Sequence, residues 1–505
     1  MFKKVIESNR RYWRHKNDDN YNGILLFEAF YPTEQIFYGI AKTALVLAKH
    51  LNLKPVIIEP VNISGNYKIF VESMCHNRIK LKYLMLRIIL SKVLYIWSQV
   101  KGFKSKDDIL AIKVDKYRLG EYIYDGILSR NSWPEILKVN FHIKLLVLFE
   151  LLHFHCFMYI FKTHNVQFVV IGDNVYRWGL LFEICKRDNI SCVPSIDLNT
   201  YSLAKFTKVE DFNNYSRHVS EDMINELANS PNVIDEIDRY FQLRFEGNIE
   251  QHDVINAYKN KGIINRDLFK KKYNLDPHKK LTILMAHIFC DAPHGYPNTL
   301  FQDYFQWMEE TIKGLLENKS IQFLIKEHPS ADLYNEQGLV FKLLEKYNIE
   351  SKLISKDEST YSVLLSADSI ITCGGTIGIE MACYGKPTLL AAKPPYAQLG
   401  FTIDPRTKTE YIDIIKNNIQ NYNSLTSEQI LKAKKTAYIL FYLFNTYDED
   451  LEIGPEKIYK GRNYNNELFY SEILRYNKTD ILSQKISHQL KKFINSKYNV
   501  HIKTQ

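Results

Sequence analysis

The 505-residue sequence has no Cys-x-x-Cys pair. Its seven cysteines, an odd number, are scattered from Cys75 to Cys383. That excludes zinc-ligand spacing and a disulfide framework. Buried small hydrophobes in a reducing compartment are the expectation. A clean apolar run of about 20 residues is also missing. Tyr83 to Val100 is broken by Arg87 and Lys92, and Leu145 to Phe161 carries Glu150, His153 and His155. Both are expected to be buried helices rather than membrane spans. The first residues lack the apolar run of a signal peptide. There is no internal repeat and no low-complexity tract. Nor is there strong charge of one sign: Lys plus Arg is 66 against 57 for Asp plus Glu, a net +9. This suits an anionic substrate or an anionic membrane face and does not argue for nucleic acid. What is present is an ordinary globular balance, 46% hydrophobic and 24% charged, able to bury sizeable cores. The expectation is a cytoplasmic protein, at most peripheral on the cytoplasmic face of the inner membrane.

Short apolar runs alternate with helical spacing along the chain. Gly23–Glu28 and Pro55–Glu59 read as buried strands flanking a helix over residues 35–50, with Ile36, Ile40, Ala44 and Leu47 on one face. Lys68 to Lys101 reads as mostly helical and basic. Gln167–Gly172 and Ile190–Pro194 are further strands around a helix over residues 178–188. A second series begins at Leu281, with strands at residues 281–287, 321–325, 369–372 and 388–391 and helices between them. Strand, helix, strand in succession predicts an α/β fold with parallel sheets. The expected domains are 1–265, 266–425 and a helical tail over 426–505 crossing back or packing on both.

The most informative segment is Ser369–Thr402. A strand ends at Thr372, Cys373-Gly374-Gly375 makes a tight connection, and Thr376 falls where a helix N-cap belongs. Glycines there admit a ligand close to the backbone, and first-turn N–H groups attract an anion. Glu380 stands one turn along, placed to accept from a ribose diol. The second segment is Lys326-Glu327-His328-Pro329 at the carboxyl end of a strand, where open α/β sheets bind ligands. His328 is expected to donate to a phosphate oxygen, Lys326 to neutralise it and Pro329 to fix the turn. The third, His287 to Gly295, contributes His287 and Asp291. It is read as a site loop without metal, because no further ligand cluster completes a site. In the N-terminal half, Asp173, Glu28 and Asp125, in that order, are the candidate general bases.

These C-terminal segments together resemble the bacterial capsule polysaccharide synthesis and export family, which includes the Kdo transferases. The resemblance rests on Lys326-Glu-His328-Pro329, Gly375-Thr376-Ile-Gly378-Ile-Glu380, Gly385-Lys386-Pro387 and Tyr396-Ala-Gln-Leu-Gly400-Phe401-Thr402. It covers residues 280–415 well and the rest loosely. It implies a GT-B architecture: two Rossmann-like, doubly wound domains facing a cleft, with the nucleotide donor in the C-terminal one and the acceptor against the N-terminal one. It implies a glycosyltransferase, usually without metal, with no cofactor beyond the nucleotide-sugar donor. CMP-linked ulosonic acids such as Kdo fit best, with UDP or GDP sugars as alternatives. The acceptor would be a glycan or lipid-linked glycan of the cell surface, capsule or lipopolysaccharide. Rival readings are a nucleotide-sugar epimerase or hydrolase on the same scaffold, and a non-catalytic assembly or export component.

Overall fold

The computed structural model describes residues 1–13, 21–195, 203–208, 210–213, 217–249, 251–445, 450, 459–460 and 463–502. The chain divides into two compact units. The first is built from residues 1–127, 136–216 and 444–505, the second from residues 128–135 and 217–443. Each has its own parallel sheet.

The first unit's sheet has five strands: β1 (Ile24–Glu28), β2 (Lys54–Glu59), β3 (Arg78–Lys80), β4 (Val166–Ile171) and β5 (Ser191–Pro194). Their order is β3-β2-β1-β4-β5. Leu26 stands opposite Val56 on one side and Val169 on the other. Strands of this kind are covered on both faces, so they read as continuous Val, Ile, Leu and Phe rather than as an alternation. Helix α1 (Phe2–Tyr12) opens the unit, and α2 (Glu34–Leu51) links β1 to β2. α2 ends at Asn52 in the left-handed region, φ 53° and ψ 46°, a conformation asparagine tolerates better than most residues. Helices α3 (Leu81–Val100), α4 (Gly120–Asn131) and α5 (Phe141–Thr163) form a long insertion before β4, and α6 (Tyr176–Asp188) follows it. One core joins Phe27, Phe37, Leu45 and Phe70 to Phe469, Ile473 and Leu490 of the C-terminal helices.

The second unit's sheet has four strands: β6 (Leu281–Met285), β7 (Gln322–Lys326), β8 (Ser369–Thr372) and β9 (Thr388–Leu390). Their order is β9-β8-β6-β7, all parallel. Helices α7 (Val233–Phe245), α8 (Tyr304–Glu317) and α9 (Ile377–Cys383) belong to this unit. Its core gathers Leu284, Trp307, Ile325, Ile371, Leu389 and Ile415. The fold is α/β with two Rossmann-like units.

The observed boundaries differ from the three-domain division. Residues 217–265 fold with the second unit: the Arg244 side chain of α7 is buried against Glu380 of α9. The tail divides, residues 426–443 with the second unit and 444–505 with the first. β3 interrupts the stretch read as mostly helical. It is a three-residue edge strand, which Arg78, Ile79 and Lys80 suit because an edge is open to water. All seven cysteines are buried and free. Of the two apolar stretches, α5 buries much of its length, whereas α3 buries only Leu81, Met85, Ile88, Ile96 and Val100.

Candidate functional site

In the second unit, strand order reverses beside β6: β7 follows on one side and β8 on the other. Ligands of open α/β sheets bind outside the carboxyl ends at such a switch point. The segments leaving β6, β7 and β8 supply His287, His328 and the Gly374-Gly375-Thr376 turn. The two imidazoles have ring centroids 6.0 Å apart. The His287 ring stacks on Tyr304 at 4.1 Å and meets Tyr296 edge-on at 6.5 Å.

The hydrogen bonds fix what each imidazole offers. The backbone N–H of Ser330 donates to His328 Nδ1 at 3.2 Å, so in the neutral ring the proton sits on Nε2. Burial, and then His287, lower its pKa to about 3. His328 is therefore a neutral N–H donor at physiological pH. His287 Nδ1 donates to the Ile288 carbonyl at 3.3 Å, which leaves Nε2 as an acceptor. Burial lowers its pKa, against the pull of Asp291. Asp291 accepts from Tyr334 at 3.4 Å.

The Gly-Gly-Thr turn is shaped by close packing. A Cβ on Gly374 would lie 2.9 Å from the Tyr296 ring, and one on Gly378 would lie 2.3 Å from the Tyr396 hydroxyl. That hydroxyl donates to the Gly375 carbonyl at 2.5 Å. Thr376 occupies the N-cap position but is already helical, at φ −58° and ψ −24°. Its hydroxyl makes no capping hydrogen bond and the residue is exposed. The loop after β6 is anchored by buried Glu336, which accepts from the N–H groups of Phe289 and Cys290, both at 2.8 Å. Ala292 in that loop sits at φ 45°, a strained position for a residue with a Cβ.

The Lys326 ammonium is buried and donates to the Glu358 carbonyl at 3.0 Å, with its pKa lowered by burial to about 8. One expected role is corrected. Glu380 is not open to a ribose. Its carboxylate accepts from Arg244 Nη2 at 2.8 Å and from the Tyr258 hydroxyl at 2.8 Å, and it is 1% exposed. A cavity of about 940 Å³ opens on His328 and Pro329 from beside β7, with Lys259, Lys261 and Lys356 among its walls. His287, Gly374 and Thr376 do not line it. The switch-point segments and this cavity meet along Lys326, Glu327, His328 and Pro329. Among the described residues, no cluster of three His, Cys, Asp or Glu side chains is placed to hold a metal ion.

The first unit has its own switch point, between β1 and β4. Glu28 ends β1 and the Gly172-Asp173 turn follows β4. The Glu28 carboxylate, fully buried, accepts from the N–H groups of Gly172 at 2.8 Å and Phe30 at 2.5 Å. Burial raises its pKa to about 7, those two donors pull it back, and Asp173 adds to the rise. Asp173 accepts from the Asn174 N–H at 2.7 Å. Tyr176, three residues on, holds φ 53°, strained for a bulky side chain. The Tyr31 and Trp178 rings stack at 4.4 Å beside this turn. So the sequence brought Glu28 and Asp173 together, as neighbours across two strands. Asp125 is buried on α4.

Tyr296, Tyr304, Glu336, Arg244 and Tyr258 had been missed. Tyr296 follows the His294-Gly295 pair directly and could have been read with it. The others carry no local signal.

No protein-family model matches this chain, and no curated protein matches it. Solved structures do. KpsC of Thermosulfurimonas dismutans, a beta Kdo 2,4 transferase, is 15% identical over 56% of this chain and 81% of its own, with a TM-score of 0.30. The Anabaena protein HepE, solved with UDP-glucose, is 9% identical over 83% of this chain and 94% of its own, at 0.26. A UDP-GlcNAc 2-epimerase of Methanocaldococcus jannaschii is 13% identical over 83% of this chain and 99% of its own, at 0.25. The chain is thus similar in fold to a Kdo transferase, to a protein solved with UDP-glucose and to a UDP-GlcNAc 2-epimerase.

Proposed function

We propose that this chain is a glycosyltransferase using a nucleotide-activated sugar, with the donor held at the second unit's switch point. The observation that carries the reading is the His287–His328 pair standing with the Gly374–Thr376 turn at the ends of three adjacent strands. His328 Nε2–H donates to a donor phosphate oxygen. Being neutral, it orients the leaving group without adding charge. The Thr376 hydroxyl, unused as a cap, adds a second donor. The resemblance of these segments to the capsule polysaccharide family selects a CMP-linked ulosonic acid as the first donor to try, then UDP and GDP sugars.

The acceptor hydroxyl is deprotonated by a carboxylate of the first unit. Asp173 fits best, because it is only half-buried, whereas the Glu28 carboxylate is fully buried with both oxygens held by backbone N–H groups. Glu28 beside it is the alternate. The stacked Tyr31 and Trp178 give a sugar ring an apolar face to lie on. The acceptor is a surface glycan or lipid-linked glycan, and the protein works on the cytoplasmic side of the membrane.

The test is nucleotide release from CMP-Kdo, UDP-glucose and UDP-GlcNAc, with and without a capsule or lipopolysaccharide oligosaccharide. Release that requires the oligosaccharide, and a sugar mass added to it, is the expected result. Full-rate release without acceptor, or interconversion of the sugar, would replace this reading with a hydrolase or an epimerase.

A further inference from the structure

Helix α3 turns the usual amphipathic arrangement outward. Tyr83, Leu86, Leu90 and Leu94 lie three or four residues apart and are all exposed, Leu90 by 87% and Leu94 by 81%. Side chains at that spacing form one stripe along a helix. The opposite face is buried through Met85, Ile88 and Ile96. α5 runs antiparallel beside it. Arg87 Nη1 donates to the Tyr159 hydroxyl at 2.8 Å, Trp97 meets Phe141 edge-on at 5.8 Å, and Lys144 Nζ donates to the Lys101 carbonyl at 2.6 Å. At that end α5 exposes Phe141 and Leu145, and Leu137 just before it is 84% exposed. Single exposed leucines need no explanation, but a contiguous stripe marks an interaction surface.

The charge around the stripe selects the partner. From His76 to Lys106 the chain carries eight Lys and Arg residues and no Asp or Glu. Lys82, Arg87 and Lys101 are exposed beside or beyond the leucines. A second copy of this surface would set like charge against like charge. Neither helix need cross a bilayer: α5 carries buried Glu150, held by Arg177 through Nε at 3.0 Å and Nη2 at 2.7 Å. An apolar stripe with cations at its margin is the arrangement that lies flat in a lipid interface.

We propose that the outer face of α3, with the start of α5, docks the first unit on an anionic lipid surface, the leucines entering the headgroup–acyl boundary and the lysines meeting lipid phosphates. This goes beyond the glycosyltransferase reading and does not rest on it. The experiment is flotation of the full-length protein with vesicles of phosphatidylcholine alone and of phosphatidylcholine mixed with phosphatidylglycerol. The protein is expected on the mixed vesicles and to be at least about tenfold weaker on the neutral ones. The double variant L90S/L94S is expected to bind mixed vesicles about tenfold or more weaker. K82E/K101E is expected to lose about fivefold per lysine and much of the salt sensitivity. Both should keep the wild-type thermal transition, because the replaced groups are exposed. Binding unchanged in L90S/L94S, or no binding by the wild type, would overturn the proposal. So would a concentration-dependent dimer abolished by L90S/L94S, which would assign the stripe to a second copy.

Discussion

Each unit buries a glutamate beside its switch point, and the two are built in opposite ways. Glu380 has the Arg244 guanidinium at 2.8 Å and the Tyr258 hydroxyl at 2.8 Å. Burial works against the Arg244 charge, yet Glu380 together with Tyr240, Tyr258 and Asp253 outweighs it and the Arg244 pKa is raised. That glutamate is a structural anion, closed and paired. Glu28 is given backbone N–H groups instead, and burial raises its pKa to about 7. A carboxyl poised near neutrality can take up and release a proton in the working range. Burial alone therefore does not mark a catalytic acid or base; what faces the buried oxygens decides.

The comparison breaks first at Arg244. Arg244→Met removes the cation and leaves Glu380 buried without it. A loss of about 3–5 kcal/mol in urea unfolding is expected. The double variant R244M/E380Q should recover part of it. A loss below about 1 kcal/mol would mean that Glu380 finds water or another partner.

The next effect is the pH dependence set by Glu28. Its folded pKa lies above the ordinary value of 4.5, so the stability it contributes is full below about 4.5 and is lost as pH rises through about 7. Between pH 5 and pH 8 the wild type should lose up to roughly 3 kcal/mol that Glu28→Gln does not lose. Parallel pH profiles for the two proteins would contradict the raised pKa. With Asp173 as the base, Asp173→Asn lowers kcat by about a hundredfold to ten-thousandfold. The corresponding loss in Glu28→Gln instead would move the role to Glu28.

The smallest expected effect is at Thr376. An N-cap threonine usually contributes about 1 kcal/mol through its cap hydrogen bond. Thr376 makes none, so Thr376→Ala should change chemical stability by less than about 0.5 kcal/mol. A larger loss would show that the hydroxyl caps the helix after all.

The sheets were legible because strands covered on both faces are written as unbroken apolar runs, such as Ile24-Leu-Leu-Phe27 and Thr282-Ile-Leu-Met285. β3 was not, since an edge strand of Arg78-Ile79-Lys80 has no such run. The switch-point residues His328, Gly374 and Thr376 could be found because the end of a strand is visible in the sequence. The side to which Lys326 turns was not, and its ammonium goes inward to Glu358. Arg244 stands 136 residues before Glu380, and no local pattern connects residues that far apart. The outward stripe on α3 was hidden for a related reason. Leucines at helical spacing read as a buried face until neighbouring elements show which face is covered.

The most direct test of the central claim is a thermal-shift series with CMP, UDP, GDP, ADP and TDP on the wild type and on His328→Ala and Thr376→Ala. A nucleotide at 100 times its dissociation constant stabilises the fold by about 2.7 kcal/mol. The proposed donor site predicts a shift with one nucleotide class, lost in His328→Ala and reduced in Thr376→Ala. An equal shift in all three proteins, or none with any nucleotide, would contradict it.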